Sequence, residues 1–205
     1  MKTPMNQDSI DTHRLRCEVE KLYARVSAEP NGEFHFHRGI DYAVEKLQYD
    51  RTELEALPLA STEVFAGVAN PHIIEQIREG EDVLDVGCGG GTDLLLAARR
   101  VGPTGRAFGV DMTEQMLERC KTSASECGMQ QVEVRRGDAE NLPIDSGSVD
   151  VVMSNGVLNL VPDKAKAFRE IHRVLRPGGR LLFGDIVVGF TLPARLANNI
   201  DLWTA

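Results

Sequence analysis

The feature that most constrains the fold is the stretch from Asp82 to Thr92, which reads DVLDVGCGGGT. A short apolar run containing one acid, Asp85, is followed by four glycines in five positions and then by an apolar helical pattern. This order predicts a buried strand, a tight turn and a helix. Because glycine lets the backbone approach a ligand and a helix N-terminus offers unpaired N–H groups, we expect a small, partly anionic, nucleotide-like ligand there.

The spacing of the glycines separates two kinds of nucleotide site. A dinucleotide fingerprint requires G-x-G-x-x-G, but its third glycine position falls on Thr92. The chain instead carries G-x-G-x-G at Gly87, Gly89 and Gly91, with Asp85 two residues ahead of the first glycine. A glycine-rich turn that binds no ligand remains an alternative on this stretch alone.

Composition narrows the classes of partner. The chain has 205 residues, enough for one domain with an appended cap. It carries 23 Lys and Arg against 31 Asp and Glu, a formal net charge of −8, which argues against a nucleic-acid partner. No apolar run reaches the roughly 18 residues of a membrane span, and the N-terminus lacks the apolar core of a signal peptide. We therefore expect a cytoplasmic protein without a membrane partner.

The cysteines and histidines do not form a recognisable metal site. The four cysteines include no C-x-x-C pair and no companion histidines at zinc-finger spacing, so we expect free thiols and no metal. These cysteines are Cys17, Cys88, Cys120 and Cys127. His35 and His37 stand at alternate positions among aromatic residues, without an acid or cysteine to complete a site, and we expect a loop packed at the mouth of the ligand site.

From Asp82 onward the chain alternates between predicted strands and helices. The strands are expected at 82–86, 106–110, 132–135, 149–153 and 180–187, and the helices at 92–101, 113–127, 163–175 and from Pro193 to Trp203. Because a helix lies on most connections, the order predicts a parallel, doubly wound sheet whose ligands bind beyond the carboxyl ends of the strands. Ahead of the sheet we expect helices at 8–27, 41–49 and 61–66 and another beginning at Pro71.

The second and third strands end in residues suited to a nucleoside. Asp111 follows the second strand, where a carboxylate can accept hydrogen bonds from both ribose hydroxyls, and Met112 offers a soft apolar face to an adenine ring. Asp111 has an alternative role as an ordinary acid capping the next helix. Asp138 follows the third strand and is placed to accept from an adenine amino group, while the Ala139 backbone N–H can donate to a ring nitrogen. A plain surface turn is the alternative for this pair.

Taken together, residues 70–190 resemble the S-adenosylmethionine (SAM)-dependent methyltransferases of the Rossmann-like class. Within that class, VGPTG at 101–105, GVDMT at 109–113, SNGVLNLVPDK at 154–164 and LRPGG at 175–179 are similar to arsenite methyltransferases and their relatives, as are Leu192-Pro193 and Leu202-Trp203. The resemblance implies an α/β fold of class I with a doubly wound, mostly parallel sheet. It also implies an N-terminal helical cap or lid at 1–70, a SAM-binding methyltransferase domain at 71–205, and a small-molecule methyl acceptor.

The resemblance also assigns the residues expected to bind SAM. They lie in the glycine loop and at the ends of the second, third and fourth strands, and the segment after the fourth strand is expected to pass beneath the methionine portion of SAM. The expected residues are Asp85, Gly87, Gly89, Gly91, Asp111, Met112, Asp138, Ala139, Ser154 and Asn155. Asn155, like Asn159, has the alternative of satisfying backbone groups.

Three departures from the arsenite methyltransferases concern the thiolates that hold arsenic. The family reads Ser-Asn-Cys-Val after the fourth strand where this chain has Gly156, its thiol ahead of the glycine loop has no counterpart, and its last thiol lies beyond Ala205. Trivalent arsenic is soft and prefers thiolates. We therefore expect a relative that methylates another acceptor or is impaired, and a C-terminally truncated chain without the final strands of the fold.

Two other functions remain open on the sequence alone. A non-catalytic SAM-binding protein would explain the missing thiols, and an NAD-dependent oxidoreductase would use a similar fold, although Thr92 opposes it. No catalytic residue is assigned. A hydroxyl or ring-carbon acceptor would require a general base, for which His35 or His37 is the candidate, while simple packing or solvent exposure is the alternative for both.

Overall fold

A single sheet of five parallel strands organises the computed structural model, which describes residues 10–189 and 199–203. The order across the sheet is β3-β2-β1-β4-β5, and all four pairings are parallel. The strands are β1 (Asp82–Val86), β2 (Arg106–Asp111), β3 (Val132–Arg136), β4 (Val149–Asn155) and β5 (Leu175–Gly184). This confirms the expected Rossmann-like sheet, and its order reverses between β1 and β4, where ligands of such sheets bind.

Helices cover both faces of the sheet. The described helices are α1 (Thr12–Ala28), α2 (Gly39–Leu47), α3 (Arg51–Glu55), α4 (Leu59–Thr62), α5 (Thr92–Val101), α6 (Glu114–Glu126) and α7 (Lys164–Val174), with a short helix at Ile200–Trp203. Short 3-10 turns lie at Pro71–Ile73, Gly102–Thr104 and Leu158–Leu160. Among the described helices, none combines the length and the apolar character needed to cross a bilayer.

The central strand shows why this sequence folds into a doubly wound sheet. Every residue of β1 is buried, as expected for a strand covered on both faces. Val83 packs with residues of α5 on one face, and Leu84 packs with residues of α7 on the other. Successive side chains of a strand point to opposite faces, so the continuous apolar run supplies both cores.

Two expected elements near the domain boundary are wrong. The helix expected from Pro71 is only a 3-10 turn, begun by Asn70, whose side chain accepts from the His72 N–H at 3.1 Å. Ile73 and Ile74 are 63% and 54% exposed, so their helical spacing does not reflect a buried face. The helix expected at 61–66 is likewise limited to Leu59–Thr62.

The last strand begins earlier and ends earlier than expected. β5 begins at Leu175 rather than at 180, so that it includes Pro177-Gly178-Gly179, and it stops at Gly184 rather than at 187. A register shift opposite Val149 and Val151 absorbs this irregular stretch, and Gly178 adopts a left-handed φ of +83°. An edge strand tolerates proline and a bulge because one side needs no sheet partner. The helix expected from Pro193 lies outside the described residues as far as 198.

The N-terminal helices lie over the carboxyl end of the sheet. α1 packs on α6, and Arg119 of α6 donates to the Ser27 carbonyl and, at 2.6 Å, to Glu63. At the other end of α1, Arg16 forms ion pairs with Asp138 at 2.7 Å and Glu140 at 2.8 Å. These contacts place α1 beside the ends of β2 and β3.

A cluster of charges ties the strand starts together and gives a stability prediction. Asp82 accepts from Arg106 at 2.8 Å and Arg176 at 2.7 Å, and these guanidinium groups, Arg106 foremost, hold the pKa of Asp82 below its usual value. The resulting stabilisation is fully present above the pKa of the unfolded carboxyl. It is lost as the pH falls through the lower pKa of the folded state.

We therefore expect Asp82→Asn to lower the Tm at neutral pH and to flatten its decline toward acid pH. Thermal unfolding followed by circular dichroism across that pH range measures both effects. Glu118→Gln is the matched control, since Glu118 pairs with Lys121 on an exposed helix face and should change the Tm little. Equal losses in the two variants would contradict this role for Asp82.

Candidate functional site

A cleft lies at the carboxyl ends of β1, β2, β3 and β4. It encloses about 1090 Å³ of empty space, open solvent at its mouth included, which is ample for a nucleoside-sized ligand. Eight of the ten residues expected from the sequence line it: Asp85, Gly87, Gly89, Asp111, Met112, Asp138, Ala139 and Asn155. The structure brings these residues together from four strand ends.

Gly91 and Ser154 do not line the cleft. A Cβ on Gly91 would meet the Cys120 sulfur at 2.5 Å, so this glycine serves close packing of the loop on α6. Ser154 is buried, and its hydroxyl donates to the Val86 carbonyl at 3.2 Å, which ties β4 to β1. Both residues lie within the expected motifs, but Gly91 packs against α6 and the Ser154 side chain is directed into the core.

Backbone hydrogen bonds fix the conformation of the glycine loop. Gly87, Gly89 and Gly91 all have left-handed φ angles, of +76°, +52° and +96°, which other residues rarely adopt. The N–H groups of Gly87 and Cys88 both donate to the Val110 carbonyl, at 2.7 and 3.1 Å. A Cβ on Gly89 would meet nothing within 4 Å, so this part of the loop faces open space in the cleft.

Asp111 is positioned by two backbone donors. The Gly89 N–H donates to its Oδ2 at 2.9 Å and the Thr113 N–H to its Oδ1 at 2.8 Å. Burial raises the pKa of the Asp111 carboxyl, and these donors oppose the rise. The Thr113 bond lies ahead of α6, whose N-cap residue is Thr113 and has no side-chain cap bond, so the alternative helix-capping role of Asp111 is not observed. Each carboxylate oxygen keeps a second lone pair for a ligand hydroxyl.

The side chains that line the cleft carry more negative than positive charge. Four carboxylates line it, on Asp85, Asp93, Asp111 and Asp138, and its lining contains one guanidinium, that of Arg16. Arg16 is already paired with Asp138 and Glu140. A ligand with a net negative charge is therefore not favoured, and a ligand with a net positive charge is.

Asp85 is the most deeply buried of these acids. Its exposure is 2%, and burial raises its pKa well above the usual value, with the charges of Asp93 and Asp111 adding to the rise. The Leu94 N–H at the start of α5 opposes it. Within the described residues no ion pair includes Asp85, so its ionised form lacks a cationic partner.

Asp93 and Tyr49 are site residues that the sequence analysis missed. The Tyr49 hydroxyl donates to Asp93 Oδ1 at 2.6 Å, and Asn155 Nδ2 donates to Asp93 Oδ2 at 2.9 Å. Burial and the Asp93 charge hold the pKa of Tyr49 well above its usual value, so it remains a donor. Asp93 could have been found from the sequence, because it is an acid in the first turn of the helix that follows the glycine loop. No sequence pattern near Tyr49 predicts its hydrogen bond to Asp93.

The Asn155 amide is committed to the backbone of the segment before the sheet. Its Oδ1 accepts from the N–H groups of Val68 and Ala69, at 2.8 and 3.0 Å, and its Nδ2 donates to the Ala69 carbonyl at 2.7 Å. The alternative role of satisfying backbone is therefore present. Asn155 holds residues 68 and 69 against the end of β4, next to Ala66 and Gly67, which line the cleft.

The remaining expected residues lie where the strands end. Asp138 accepts from the Glu140 N–H at 2.8 Å as well as from Arg16, and Ala139 is buried in the core beside the cleft. Met112 packs with Leu15, Val19 and Tyr23 of α1. The end of β3 is thereby joined to α1 across the cleft.

The cysteines and loop histidines occupy ordinary positions. All four cysteines are free thiols, and Cys88 and Cys120 are buried in the core under the glycine loop. No group of three metal-ligating side chains occurs among the described residues. His35 is exposed at the edge of a second cavity beside the cleft, and His37 stacks on Tyr42 with ring centroids 5.3 Å apart.

Comparison with known proteins points in one direction. Residues 77–204 match the family described as methyltransferase domain. The chain is 40% identical over 160 residues to the arsenite methyltransferase of Halobacterium salinarum and 31% identical over 206 residues to that of Mus musculus. These alignments cover 78% and 95% of this chain but 41% and 54% of the relatives.

A solved structure agrees with these relatives. The crystal structure of an arsenic(III) SAM methyltransferase from Chlamydomonas reinhardtii superposes with a TM-score of 0.68 at 37% identity. The superposition covers 74% of this chain and 53% of that protein. The chain therefore spans about half the length of these relatives.

The unpaired acid at the centre of the cleft gives a prediction with a definite sign. Because the folded-state pKa of Asp85 is raised, ionising it costs stability above the pKa of the unfolded carboxyl, and the cost disappears in acid. We expect Asp85→Asn to raise the free energy of unfolding at neutral pH by on the order of 1–3 kcal/mol. The gain should shrink toward acid pH.

Urea denaturation of the ligand-free protein at neutral and mildly acid pH measures this effect. Asp145→Asn, at an exposed position, is the control and should be nearly neutral at both pH values. Destabilisation by Asp85→Asn at neutral pH would show that the carboxylate is satisfied where it lies.

Proposed function

The chain belongs to the methyltransferase domain family, and on that premise we propose that it is a SAM-dependent methyltransferase acting on a small molecule. The observation that carries the proposal is the acidic cleft at the switch point of the sheet, in which Asp111 and the Gly89 N–H are hydrogen bonded to each other. The relatives named above support the cofactor.

The residues of the cleft fit SAM by their chemistry. SAM carries a sulfonium and an ammonium group beside a single carboxylate, so its net charge is positive, and the described lining of the cleft has more carboxylates than cations. A vicinal ribose diol suits the free lone pairs of Asp111, and the bare Gly89 backbone leaves room for the ligand. A nicotinamide dinucleotide fits poorly, since its pyrophosphate would face these acids without a free guanidinium.

We assign the binding roles as follows. Asp111 would hold the ribose hydroxyls, Met112 and Ala139 would contact the adenine, and Gly87 and Gly89 would pass beneath the amino-acid portion. Asp85 and Asp93 supply negative charge near the glycine loop, and Asp138 acts together with Arg16. Gly91, Ser154 and Asn155 act indirectly in this assignment, by packing or by positioning neighbouring backbone.

When bound, SAM would supply an electrophilic methyl group, with its sulfonium sulfur as the leaving group. The chain's own contribution is orientation and exclusion of water. We assign residues 1–70 to a helical cap and 71–205 to the SAM-binding domain, because α1 closes the cleft through Arg16 and packs against Met112. The cap would shield the transferring group from solvent.

The acceptor in this proposal is not arsenite held in the manner of the arsenite methyltransferases. Gly156 stands where that family carries a thiol, and Cys88 is the one cysteine that lines the described cleft. Cys88 is buried within the cofactor loop itself. We also propose a cytoplasmic location, since all four cysteines are free thiols and a reducing compartment preserves them.

Isothermal titration with SAM tests the proposal directly. We expect binding to the unmodified chain, and a loss of about ten- to a hundredfold in affinity for Asp111→Asn, because hydrogen bonds to a charged carboxylate are removed. Binding should tighten as the pH rises through the raised pKa of the Asp111 carboxyl, since the ionised form is the better acceptor.

Asp145→Asn serves again as the control and should bind SAM as the unmodified chain does. NADH should not compete for the cleft. Transfer of tritium from methyl-labelled SAM to any small-molecule acceptor would separate the enzyme from a non-catalytic SAM-binding protein. Absence of SAM binding, or displacement of SAM by NADH, would contradict the proposal.

A further inference from the structure

A second cavity adjoins the acidic cleft on the side of the N-terminal helices. It contains about 510 Å³ of empty space, open solvent included, and it is lined from α1, the 34–37 loop, the 66–68 segment and the turn after β4. Both cavities share Val19, Tyr23, Ala66, Gly156 and Leu160 in their linings. A ligand in the second cavity would therefore be in direct contact with the first.

The lining of this second cavity is apolar and aromatic. Tyr23 and Phe36 stack with ring centroids 6.3 Å apart, and His35 lies edge-on to Phe36 at 4.9 Å. The remaining apolar side chains of the described lining are Val19, Leu22, Ala66, Val68, Leu160, Ile186 and Trp203. Flat rings and aliphatic walls of this kind favour a planar apolar guest.

The charged groups nearest this lining are already engaged with protein backbone. Asp185 accepts from the backbone N–H groups of Asn159 and Ile186, at 3.0 and 2.7 Å. The Lys164 ammonium donates to the Asn159 and Val161 carbonyls and lies 4.8 Å from the centre of the Trp203 ring. No Asp, Glu, Lys or Arg is part of the described lining, so an uncharged guest is favoured.

One polar atom in the lining lacks a partner. Asn159 Oδ1 is buried, and no hydrogen-bond donor reaches it among the described residues. A buried carbonyl oxygen without a donor costs free energy, which a ligand hydroxyl or amine would recover once the Asn159 side chain turns this oxygen toward the cavity. Asn155 and Asn159 differ in this respect, because the Asn155 oxygen is satisfied twice by backbone.

A thiol-based metalloid site is also disfavoured here. No cysteine lines the second cavity. Gly156 has a left-handed φ of +71°, and a Cβ there would lie 3.2 Å from Val68 Cγ1. A cysteine side chain at this position would therefore be strained by the backbone and crowded by Val68.

We propose that the second cavity binds the methyl acceptor, and that this acceptor is an uncharged, planar apolar molecule with a hydrogen-bond donor directed at Asn159 Oδ1. The inference rests on the proposed function for its cofactor. It adds the acceptor class, and it makes Asn159 a specificity-determining residue. Tyr23, whose pKa burial raises to about 12, remains a protonated phenol between the two cavities.

Trp203 gives a direct readout because it is the single tryptophan of the chain and lines this cavity. We would label it as 5-fluorotryptophan and record its fluorine resonance in the full chain loaded with S-adenosylhomocysteine. The probes are 2-naphthol, 2-methylnaphthalene, which has the same rings without a donor, and sodium arsenite. We expect 2-naphthol to shift the resonance saturably, 2-methylnaphthalene to bind about tenfold more weakly, and arsenite to leave it unchanged.

Two variants locate the binding. Val68→Phe should fill the cavity and abolish the 2-naphthol shift, whereas Val187→Phe, at a position 87% exposed, should not. Asn159→Leu should bring the affinities of 2-naphthol and 2-methylnaphthalene within about twofold of each other. Calorimetric titration with S-adenosylhomocysteine confirms that each variant is folded and loaded.

The outcomes distinguish this inference from the proposed function. If S-adenosylhomocysteine does not bind the unmodified chain, the proposed cofactor fails. If it binds but 2-naphthol shifts no resonance, or shifts it equally in Val68→Phe, the acceptor cavity is overturned. A saturable arsenite shift, or an unchanged preference for 2-naphthol in Asn159→Leu, would overturn the assigned acceptor class.

Discussion

The structure of the site depends on one hydrogen bond, from the Gly89 N–H to Asp111 Oδ2 at 2.9 Å. It joins the loop after β1 to the end of β2, and the Val110 carbonyl reinforces it by accepting from Gly87 and Cys88. A loop with left-handed glycines has many alternative conformations when unfolded. The strand pairing fixes one of them, so the carboxylate and the bare backbone face the same cleft.

The same arrangement concentrates negative charge where water is largely excluded. Asp85 and Asp111 both have raised pKa values, chiefly from burial, while Asp93 accepts from Tyr49 and Asn155 and lies 3.2 Å from the His72 imidazole. Buried acids such as Asp85, which form no ion pair among the described residues, cost free energy rather than stabilise the fold. Their retention around the glycine loop fits a site that gains its counter-charge from a cationic ligand.

Local patterns predicted the part of the fold that depends on local physics. β1 and α5 have the expected bounds because a buried apolar run, a glycine turn and an apolar helix can each be recognised from the local sequence. The 3-10 turn at Pro71 was missed because exposed isoleucines there have the spacing of a buried helix face. The bulge at Gly178 was missed because an edge strand can continue through a proline and two glycines. Asp111 was found from its position at a strand end. Arg16 was not, because only the folded chain brings it to the cleft, and Tyr49 was not, because its hydrogen bond to Asp93 joins residues 44 positions apart.

The central claim is that this acidic cleft, with Asp111 as its ribose acceptor, is the binding site for SAM. A crystal structure of the chain with S-adenosylhomocysteine tests it most directly. The account predicts density in the cleft, with both ribose hydroxyls within hydrogen-bond distance of the Asp111 carboxylate. Density for the nucleoside elsewhere on the chain, or with its ribose turned away from Asp111, would contradict the account.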